Sequence, residues 1–370
     1  MSKNQNEIKE RIVRKRWKNE LSRQSIYYSS YRPKKRNKSK KVVEHFKFEK
    51  NFSIYSADKD KSYQDTINII NAISRFSKSG LKKAHLDFSK TEVIKAAAIL
   101  ILYATVEQAI KEGVSFKIVS FPRDFKAIRI IKKSGLETLC RDNIHNPDFN
   151  GEYLPVISGS SGQYRDDIVD FIQQKIYKNK MSAHTESIYG GAIHEAINNV
   201  AYHAYPDTHE SDKKRWWVKC DLAGDQLFLA LYDKGVGIPE TVMNRSWYEE
   251  ILKSSYPDLK EKISAELTSH GIARSDMLLY KVGFVNDAMK IAISMIGDIT
   301  GTKSSKHGQG SKSIKALVSE NELGKLWIYS NHGLYKLESD TVETVDLPKP
   351  MPGTLLQWNI EVKIDEYKND

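Results

Sequence analysis

The sequence predicts an α/β protein with a small N-terminal domain and a larger C-terminal domain. Between residues 42 and 145, apolar residues at helical spacing alternate with short runs typical of strands. Residues 146–163 are rich in Gly, Ser, Pro and Asn, a composition typical of a linker. The alternation then resumes over residues 164–370. The chain has 370 residues, 40% of them hydrophobic, which is enough to bury the cores of two or three domains.

The N-terminal domain is predicted to have a βαβα order. Its elements are helix 66–76, strand 83–88, helix 93–111, strand 115–119 and helix 125–133. Ser134 and Gly135 follow the last helix, and a glycine there is a common helix stop.

The net charge of +11 is concentrated at the N-terminus. Residues 1–41 contain 15 of the 58 Lys and Arg residues, but only three of the 47 Asp and Glu residues. The rest of the chain is therefore close to neutral. Aromatic residues are interleaved with these charges, for example Trp17, Tyr27 and Tyr28, so the segment could neutralise phosphates and stack on bases. A basic, flexible and solvated tail is an equally good interpretation of the composition.

Cysteine usage and hydropathy predict a cytoplasmic protein that has no membrane partner. The two cysteines, Cys140 and Cys220, are far apart and have no metal-ligand spacing around them. The longest apolar run, residues 96–104, is much shorter than the roughly 20 residues that cross a bilayer. No apolar stretch follows the basic N-terminus, as a signal peptide would require.

A predicted helix around residues 194–206 carries two polar side chains suited to chemistry. Glu195 and Asn199 are four residues apart and therefore lie on the same helix face. A carboxylate there can accept a proton from an attacking nucleophile, and an amide oxygen can fill one position in the shell of Mg²⁺. Glu195 is thus a candidate catalytic base and Asn199 a candidate metal ligand, although Glu-x-x-x-Asn alone is a common pattern.

A second segment has the chemistry of an adenine site. The predicted strand 226–232 runs into Asp233, which is followed by Gly235 and Gly237. The carboxylate can accept a hydrogen bond from the exocyclic amine of adenine, and the glycines let the backbone approach closely. Guanine has a carbonyl at that position, so the pattern favours ATP over GTP.

Two later segments suit phosphate. Gly308 and Gly310 precede an amphipathic helix over 311–319, and backbone N–H groups at a helix N-terminus attract anions. Thr354 begins a predicted strand, where its hydroxyl could contact a phosphate or a water molecule bound to adenine.

In their order along the chain, these four segments resemble the nucleotide-binding boxes of the GHKL superfamily, which includes gyrase, Hsp-type chaperones, histidine kinases and MutL. The box at Glu195 is most similar to that of anti-sigma serine kinases, in which a His stands at the position of His203. The resemblance covers residues 166–363. It implies a Bergerat-type α/β sandwich, with a mixed sheet and helices on one face. It also implies ATP and Mg²⁺ as cofactors, with Asn199 on the metal, Asp233 on adenine and the four glycines shaping the pocket.

The chain departs from the family pattern in two places. Ser311 stands where the second glycine box normally continues with leucine. The segment 240–307 is longer than a simple ATP lid and contains further helical patterns, so we expect an enlarged lid. A lid of this size could contact a protein partner or a second copy of the chain.

The N-terminal domain, residues 42–145, resembles the STAS domain of anti-anti-sigma factors. The resemblance rests on the Asp87-Phe88-Ser89 turn that leads into a helix, and on the later run 125–139. Ala96 stands where those factors carry a phosphorylatable serine, so this unit is expected to be a scaffold and not a phosphate acceptor.

Three functions fit these observations. The first is a regulatory ATP-binding protein, whose nucleotide state controls a protein partner bound through the STAS-like domain or the lid, with slow hydrolysis at Glu195. The second is a protein serine kinase of the anti-sigma type. The third is a gyrase-like ATPase that forms a homodimer and contacts nucleic acid through residues 1–41.

Overall fold

The computed structural model describes residues 3–24, 43–55, 61–145, 147–243, 248, 254–255, 285–300 and 310–363. Most of the predicted lid, together with Gly308, lies outside these described residues. Residues 1–42 and residues 43–370 form two separate compact units. Within the described ranges, no helix has the length and apolar character that crossing a membrane requires.

The described residues of the first unit form a long helix, α1 (Lys3–Gln24). At about 1.5 Å per residue, its 22 residues span about 33 Å. The side chains of residues 7–20 are all exposed, including the apolar ones.

The second unit is an α/β structure, as the sequence predicts. Its N-terminal half contains β1 (Glu44–Lys47), β2 (Asn51–Phe52), α2 (Ser62–Ser77), β3 (Lys83–Asp87), β4 (Val93–Ile94), α3 (Ala96–Lys111), β5 (Ser115–Ser120), α4 (Phe125–Lys133) and α5 (Leu136–Asp142). Its C-terminal half contains β6 (Ile157–Ser160), α6 (Arg165–Phe171), α7 (Ala183–Asn199), β7 (Arg215–Ala223), β8 (Gln226–Asp233), α8 (Ile238–Val242), α9 (Asp287–Thr300), α10 (Gly310–Ser319), β9 (Lys325–Glu338) and β10 (Thr341–Glu361).

The N-terminal half is a parallel β-structure. Strands β1, β3 and β5 pair in that order, and both pairings are parallel. The predicted helix 93–111 begins later than expected, at Ala96, because Val93 and Ile94 pair with Asn51 and Phe52 to form a separate two-stranded sheet. Ala96, the position matched to the phosphorylatable serine, is therefore the first residue of α3.

The C-terminal half contains a five-stranded sheet in the order β6-β7-β8-β10-β9. All four pairings are antiparallel, so the expectation of a mixed sheet is wrong for these strands. The physical reason lies in the connections. Tight turns join β7 to β8 and β9 to β10, and a short turn between neighbouring strands forces them to run in opposite directions.

Both faces of this sheet are covered. Trp216, Leu229 and Trp358 on one face pack with α6, α7, α9 and α10. The neighbouring residues Trp217 and Ala230 point to the other face and join the core of the N-terminal half. The helices α6, α7, α9 and α10 of the C-terminal half thus share one face of the sheet, and the N-terminal half covers the other face. Helices α2 and α3 contact β10 and β7, so a single compact unit extends from residue 43 onward.

The segment predicted as a linker contains one strand of this sheet. Residues Ile157–Ser160 form β6, which pairs with Arg215–Val218 of β7. All four residues of β6 are buried. The C-terminal sheet therefore begins before residue 164.

Candidate functional site

Helix α7 presents the first pair of candidate residues. Its N-terminus is capped by Ser182, whose side-chain oxygen accepts a hydrogen bond of 3.1 Å from the backbone N–H of Thr185. Glu195 lies half-buried on the last full turns, and Asn199 is the final residue of the helix. The chain then widens into a π-helical turn, Val200–Ala204. Turns of this kind occur frequently at functional sites because they displace the backbone from the regular helix.

The π-helical turn is hydrogen-bonded to the loop that follows β8. The backbone N–H of Val236 donates to the carbonyl oxygen of Ala204 at 2.9 Å. The hydroxyl of Tyr205 accepts from the backbone N–H of Lys234 at 3.0 Å and donates to the carbonyl oxygen of Arg215 at 2.8 Å. These bonds fix the loop 233–237 against the C-terminal end of the helix that carries Glu195 and Asn199.

Glycines make this close contact possible. A Cβ on Gly235 would overlap the carbonyl oxygen of Ala204, so the loop can approach the π-helical turn only with glycine at this position. Gly237 has a φ of +93°, and a Cβ there would overlap the side chain of Asn331. Two of the four glycines that the sequence assigns to the pocket are thus required by local packing.

Asp233, the last residue of β8, is buried at the centre of this region. Its Oδ1 accepts from the backbone N–H of Gly235 at 2.7 Å. It also accepts from the backbone N–H of Thr354, its cross-strand partner on β10. Burial raises the pKa of Asp233 to about 7, even though both hydrogen bonds favour the charged form. The carboxyl group can therefore change its ionisation near neutral pH.

Thr354 is joined to the same loop through Ser330 on β9. The hydroxyls of Thr354 and Ser330 are 3.1 Å apart, and the Ser330 hydroxyl accepts from the backbone N–H of Ile238 at 2.9 Å. Gly353 precedes Thr354 with a φ of +91°, and a Cβ on it would overlap the backbone of Asp233. The start of α8 is thereby tied to β9 and β10.

Helix α10 begins at Gly310 and packs against α7. The two helices are close enough that a Cβ on Gly191 would lie 3.9 Å from the side chain of Ser313. Ser311, in the first turn of α10, is fully buried, and none of the described residues hydrogen-bonds to its hydroxyl. An unsatisfied buried hydroxyl next to the N-terminal N–H groups of a helix is suited to an anionic ligand. Gly308, the other predicted phosphate-loop glycine, lies outside the described residues.

Most of the predicted residues therefore belong to one region. Asp233, Gly235, Gly237 and Thr354 meet where the end of β8 pairs with the middle of β10. Glu195 and Asn199 lie on the helix that leads into this corner, and Gly310 lies at the start of its neighbouring helix.

Sequence reasoning missed several contributors to this corner. Tyr205 and Ser330 supply hydroxyls that hold the loop, and Asn331 packs against Gly237. For Tyr205 the local signal was Tyr205-Pro206 at the end of the helix. Ser330 and Asn331 act through strand pairings that no short motif records.

A buried polar cluster connects this region to the N-terminal half. Glu107 of α3 is buried and accepts from the indole N–H of Trp217 at 2.7 Å and from Arg215 at 3.1 Å. Lys111 lies 2.8 Å from the same carboxylate, and Ser158 donates to it at 3.0 Å. Burial raises the pKa of Glu107, but the bonds and charges of Lys111, Trp217 and Arg215 outweigh it and lower the pKa below its usual value.

The side chain of Lys234, next to Asp233, interacts electrostatically with the N-terminal half. Desolvation lowers the pKa of its side chain to about 8, with the charge of Glu112 acting in the opposite direction. Glu112 follows the last residue of α3. The loop 233–237 is therefore linked to α3 indirectly, through hydrogen bonds of Tyr205 and Arg215, and electrostatically to Glu112 just after α3.

Among the described residues, no group of three or more His, Cys, Asp and Glu side chains could hold a metal ion. A metal that binds here would take few ligands from the protein. Mg²⁺ commonly does so, because it is held by one or two side chains together with substrate phosphates and water. The single amide of Asn199 fits that coordination pattern.

No protein-family model matches the chain. A search of curated proteins gives no significant match either.

Proposed function

We propose that this chain is an ATP- and Mg²⁺-binding regulatory protein with a GHKL-type nucleotide site, in which the bound nucleotide controls association with a protein partner. The observation that carries the proposal is the loop 233–237. It holds a buried carboxyl group, Asp233, close to the end of the helix that bears Glu195 and Asn199, and the loop can approach that helix because Gly235 has no Cβ.

In the proposed complex, Asp233 accepts a hydrogen bond from the exocyclic amine of adenine. Thr354 and Ser330 lie beside it and can orient the base or a bound water molecule. The first turn of α10 supplies N–H groups and the buried Ser311 hydroxyl to the phosphates. Ser311 is the residue that departs from the family pattern, and its chemistry suits an anion better than the usual leucine does.

Asn199 would hold the metal ion, which supplies charge neutralisation at the phosphates. Glu195 lies one turn earlier on the same face and would accept a proton from the attacking water. This role makes slow hydrolysis part of the proposal. Phosphoryl transfer to the chain's own STAS-like half is not part of it, because Ala96 has no hydroxyl at the position matched to the acceptor serine.

The regulatory part of the proposal rests on the contacts of α3. Arg215 donates to Glu107 of α3 through its side chain and accepts from Tyr205 through its carbonyl oxygen, and Tyr205 holds Lys234. A nucleotide that displaces the loop 233–237 would therefore alter the surroundings of α3. A STAS-like surface is one place where a protein partner could detect that change, and the lid 240–307 is another.

Titration calorimetry with Mg·ATP on three proteins tests the proposal. Wild type is expected to bind, and Asn199→Ala is expected to lose binding because the metal loses its protein ligand. Asn198→Ala is the matched control, since Asn198 is the adjacent half-buried amide on the same helix. Equal affinity in wild type and Asn199→Ala, or stronger binding of GTP than ATP, would refute the assignment.

Incubation with γ-labelled ATP distinguishes the possible reactions. Release of free phosphate that is lost in Glu195→Gln, with binding retained, supports hydrolysis. Transfer of label to a second, co-purified protein would instead make the chain a protein kinase.

A further inference from the structure

Strand β6 lies at one end of the five-stranded sheet, so one of its edges has no neighbouring strand among the described residues. N–H groups at alternate positions of a strand point to the same side, and an open edge invites pairing with another chain. Here three alternate N–H groups each have an acceptor outside the sheet. They donate from Val156 to the carbonyl oxygen of Ser134 at 3.0 Å, from Ser158 to Nε2 of His145 at 3.2 Å, and from Ser160 to Oε1 of Gln163 at 3.0 Å. Of these three acceptors, the imidazole is the one that can gain a proton near neutral pH.

The hydrogen bond from Ser158 determines which nitrogen of His145 carries a proton. A backbone N–H can only donate, so Nε2 must be the unprotonated acceptor of the neutral ring. The hydrogen is then on Nδ1, which lies 2.9 Å from the hydroxyl oxygen of Tyr103 on α3. Burial raises the pKa of Tyr103, so this hydroxyl stays uncharged. The neutral ring therefore joins β6 to α3, accepting from Ser158 and donating to Tyr103.

A protonated ring does not fit this position. A second proton, on Nε2, would face the N–H of Ser158, so two donors would meet and the hydrogen bond would be lost. The surroundings also oppose the charge. Burial lowers the pKa of His145 below its ordinary value of 6.5; the charge of Glu107 acts in the opposite direction, and those of Arg215 and Lys111 lower the pKa further. The ring is therefore expected to take up a proton mainly when it leaves Ser158.

We propose that His145 is a pH-sensitive switch at the free edge of β6: the neutral imidazole closes this edge at Ser158, and the imidazolium leaves it open. Above the ordinary imidazole pKa, the closed and open states are both neutral, so pH has no effect on the switch. Below that pKa the open state takes up a proton, and opening becomes easier until pH reaches the lower pKa of the closed state. The switch does not depend on the proposed nucleotide site.

Hydrogen exchange of backbone amides, followed by TROSY NMR on the full chain at pH 7.5 and pH 5.5, tests the proposal. Protection factors are compared, because they are corrected for the intrinsic effect of pH on exchange. The test variant is His145→Gln, whose side-chain amide keeps a donor and an acceptor but does not titrate. The matched control is His209→Gln, which removes an exposed imidazole from another part of the chain. Circular dichroism at both pH values checks that each variant is folded.

In wild type and in His209→Gln, protection of the Ser158 amide should fall about five- to tenfold from pH 7.5 to pH 5.5. The reason is that an imidazole of ordinary pKa is about 90% protonated at the lower pH in the open state. His145→Gln should lose this pH dependence. Constant Ser158 protection in wild type, or an equal fall in His145→Gln, would overturn the proposal.

The ¹⁵N chemical shifts of the His145 ring provide a second test. At pH 7.5 they should show the proton on Nδ1, as the hydrogen bond from Ser158 requires. A neutral ring with its proton on Nε2 would also overturn the proposal, because that nitrogen could then accept nothing from Ser158.

Discussion

The indole N–H of Trp217 donates a hydrogen bond of 2.7 Å to the carboxylate of Glu107. The two residues are 110 positions apart, one on the central sheet of the C-terminal half and the other on α3 of the N-terminal half. Glu107 is buried, and Lys111 and Arg215 balance its charge. A buried charge of this kind is stable only while its partners remain.

Replacing Glu107 with alanine should therefore destabilise the protein strongly. The variant leaves Arg215 and the indole N–H of Trp217 without their acceptor, and losing one member of a buried pair costs about 3–5 kcal/mol. Thermal or urea unfolding gives the free energy of unfolding. The control is Glu112→Ala, an exposed carboxylate five residues later, which should cost about 0.5 kcal/mol or less. Similar losses of unfolding free energy in the two variants would show that the buried cluster stabilises the protein no more than an exposed carboxylate does.

The same cluster predicts a loss of stability in acid. The pKa of Glu107 is lower in the folded protein than in the unfolded chain, so its contribution to the free energy of unfolding is fully present above the unfolded-state pKa. This contribution disappears as pH falls through the pKa that Glu107 has in the folded protein. Glu107→Gln should remove this part of the acid dependence, which urea unfolding between pH 7 and pH 3 would measure. An unchanged pH profile in Glu107→Gln would contradict this account.

Asp233 should make adenine binding depend on pH near neutrality. Its pKa in the protein is about 7, and a carboxylate accepts a hydrogen bond from an amine more strongly than a carboxylic acid does. Affinity for adenosine, which has no titrating phosphate, should increase from pH 6 to pH 8. Calorimetry across that range is the measurement, with Asp233→Asn as the control whose residual binding should not change with pH. Tighter binding in acid would mean that the protonated carboxyl donates to the base.

Asp233 should also limit the stability of the protein above neutral pH. Its pKa is about 7 in the folded protein, whereas the ordinary value of 3.8 applies to the unfolded chain. Between pH 3.8 and about pH 7, the carboxyl group is therefore protonated only in the folded state. Stability therefore falls as pH rises from about 4 to 7 and stays at the lower level above it. Asp233→Asn should be more stable than wild type at pH 8, by on the order of 2–4 kcal/mol. Equal stability of the two proteins at pH 8 would show that Asp233 is not buried in this way.

Gly235→Ala should damage the candidate site directly. The added Cβ overlaps the carbonyl oxygen of Ala204, so the loop must move away from the end of α7 and lose the Val236–Ala204 hydrogen bond. We expect a loss of about 1–3 kcal/mol in unfolding free energy and weaker ATP binding. Gly190→Ala is the control, because a Cβ at this helical position has open space around it and should stabilise by about 0.5–1 kcal/mol. Normal nucleotide affinity in Gly235→Ala would show that the loop 233–237 does not contribute to nucleotide binding.

The sequence predicted elements well where local pattern determines structure. The predicted helix 125–133 has the bounds of α4, which Asp124 caps and Ser134 ends. Trp216 and Trp217 are adjacent on β7, and the alternation of side chains along a strand places each indole in a different core. In both places the neighbouring residues in the chain contain the deciding information.

Prediction failed where distant contacts decide. Gly159 contributed to the interpretation of residues 146–163 as a linker, yet it is a glycine because the indole of Trp216 lies where its Cβ would be. The mixed sheet was expected from family resemblance, and the strand register overturned it. Likewise, Ser330 reaches the site only because β9 pairs with β10 beside Thr354.

The coverage of both faces of the five-stranded sheet has a consequence for how the protein unfolds. Tyr232 and Leu355 of the C-terminal half and Ile101 of the N-terminal half belong to one continuous core. Removing either half would leave that core half exposed to water, so neither half is a self-sufficient folding unit. The two halves should consequently melt in a single cooperative transition, and an evolutionary exchange of the N-terminal half would require the sheet beneath it to change as well.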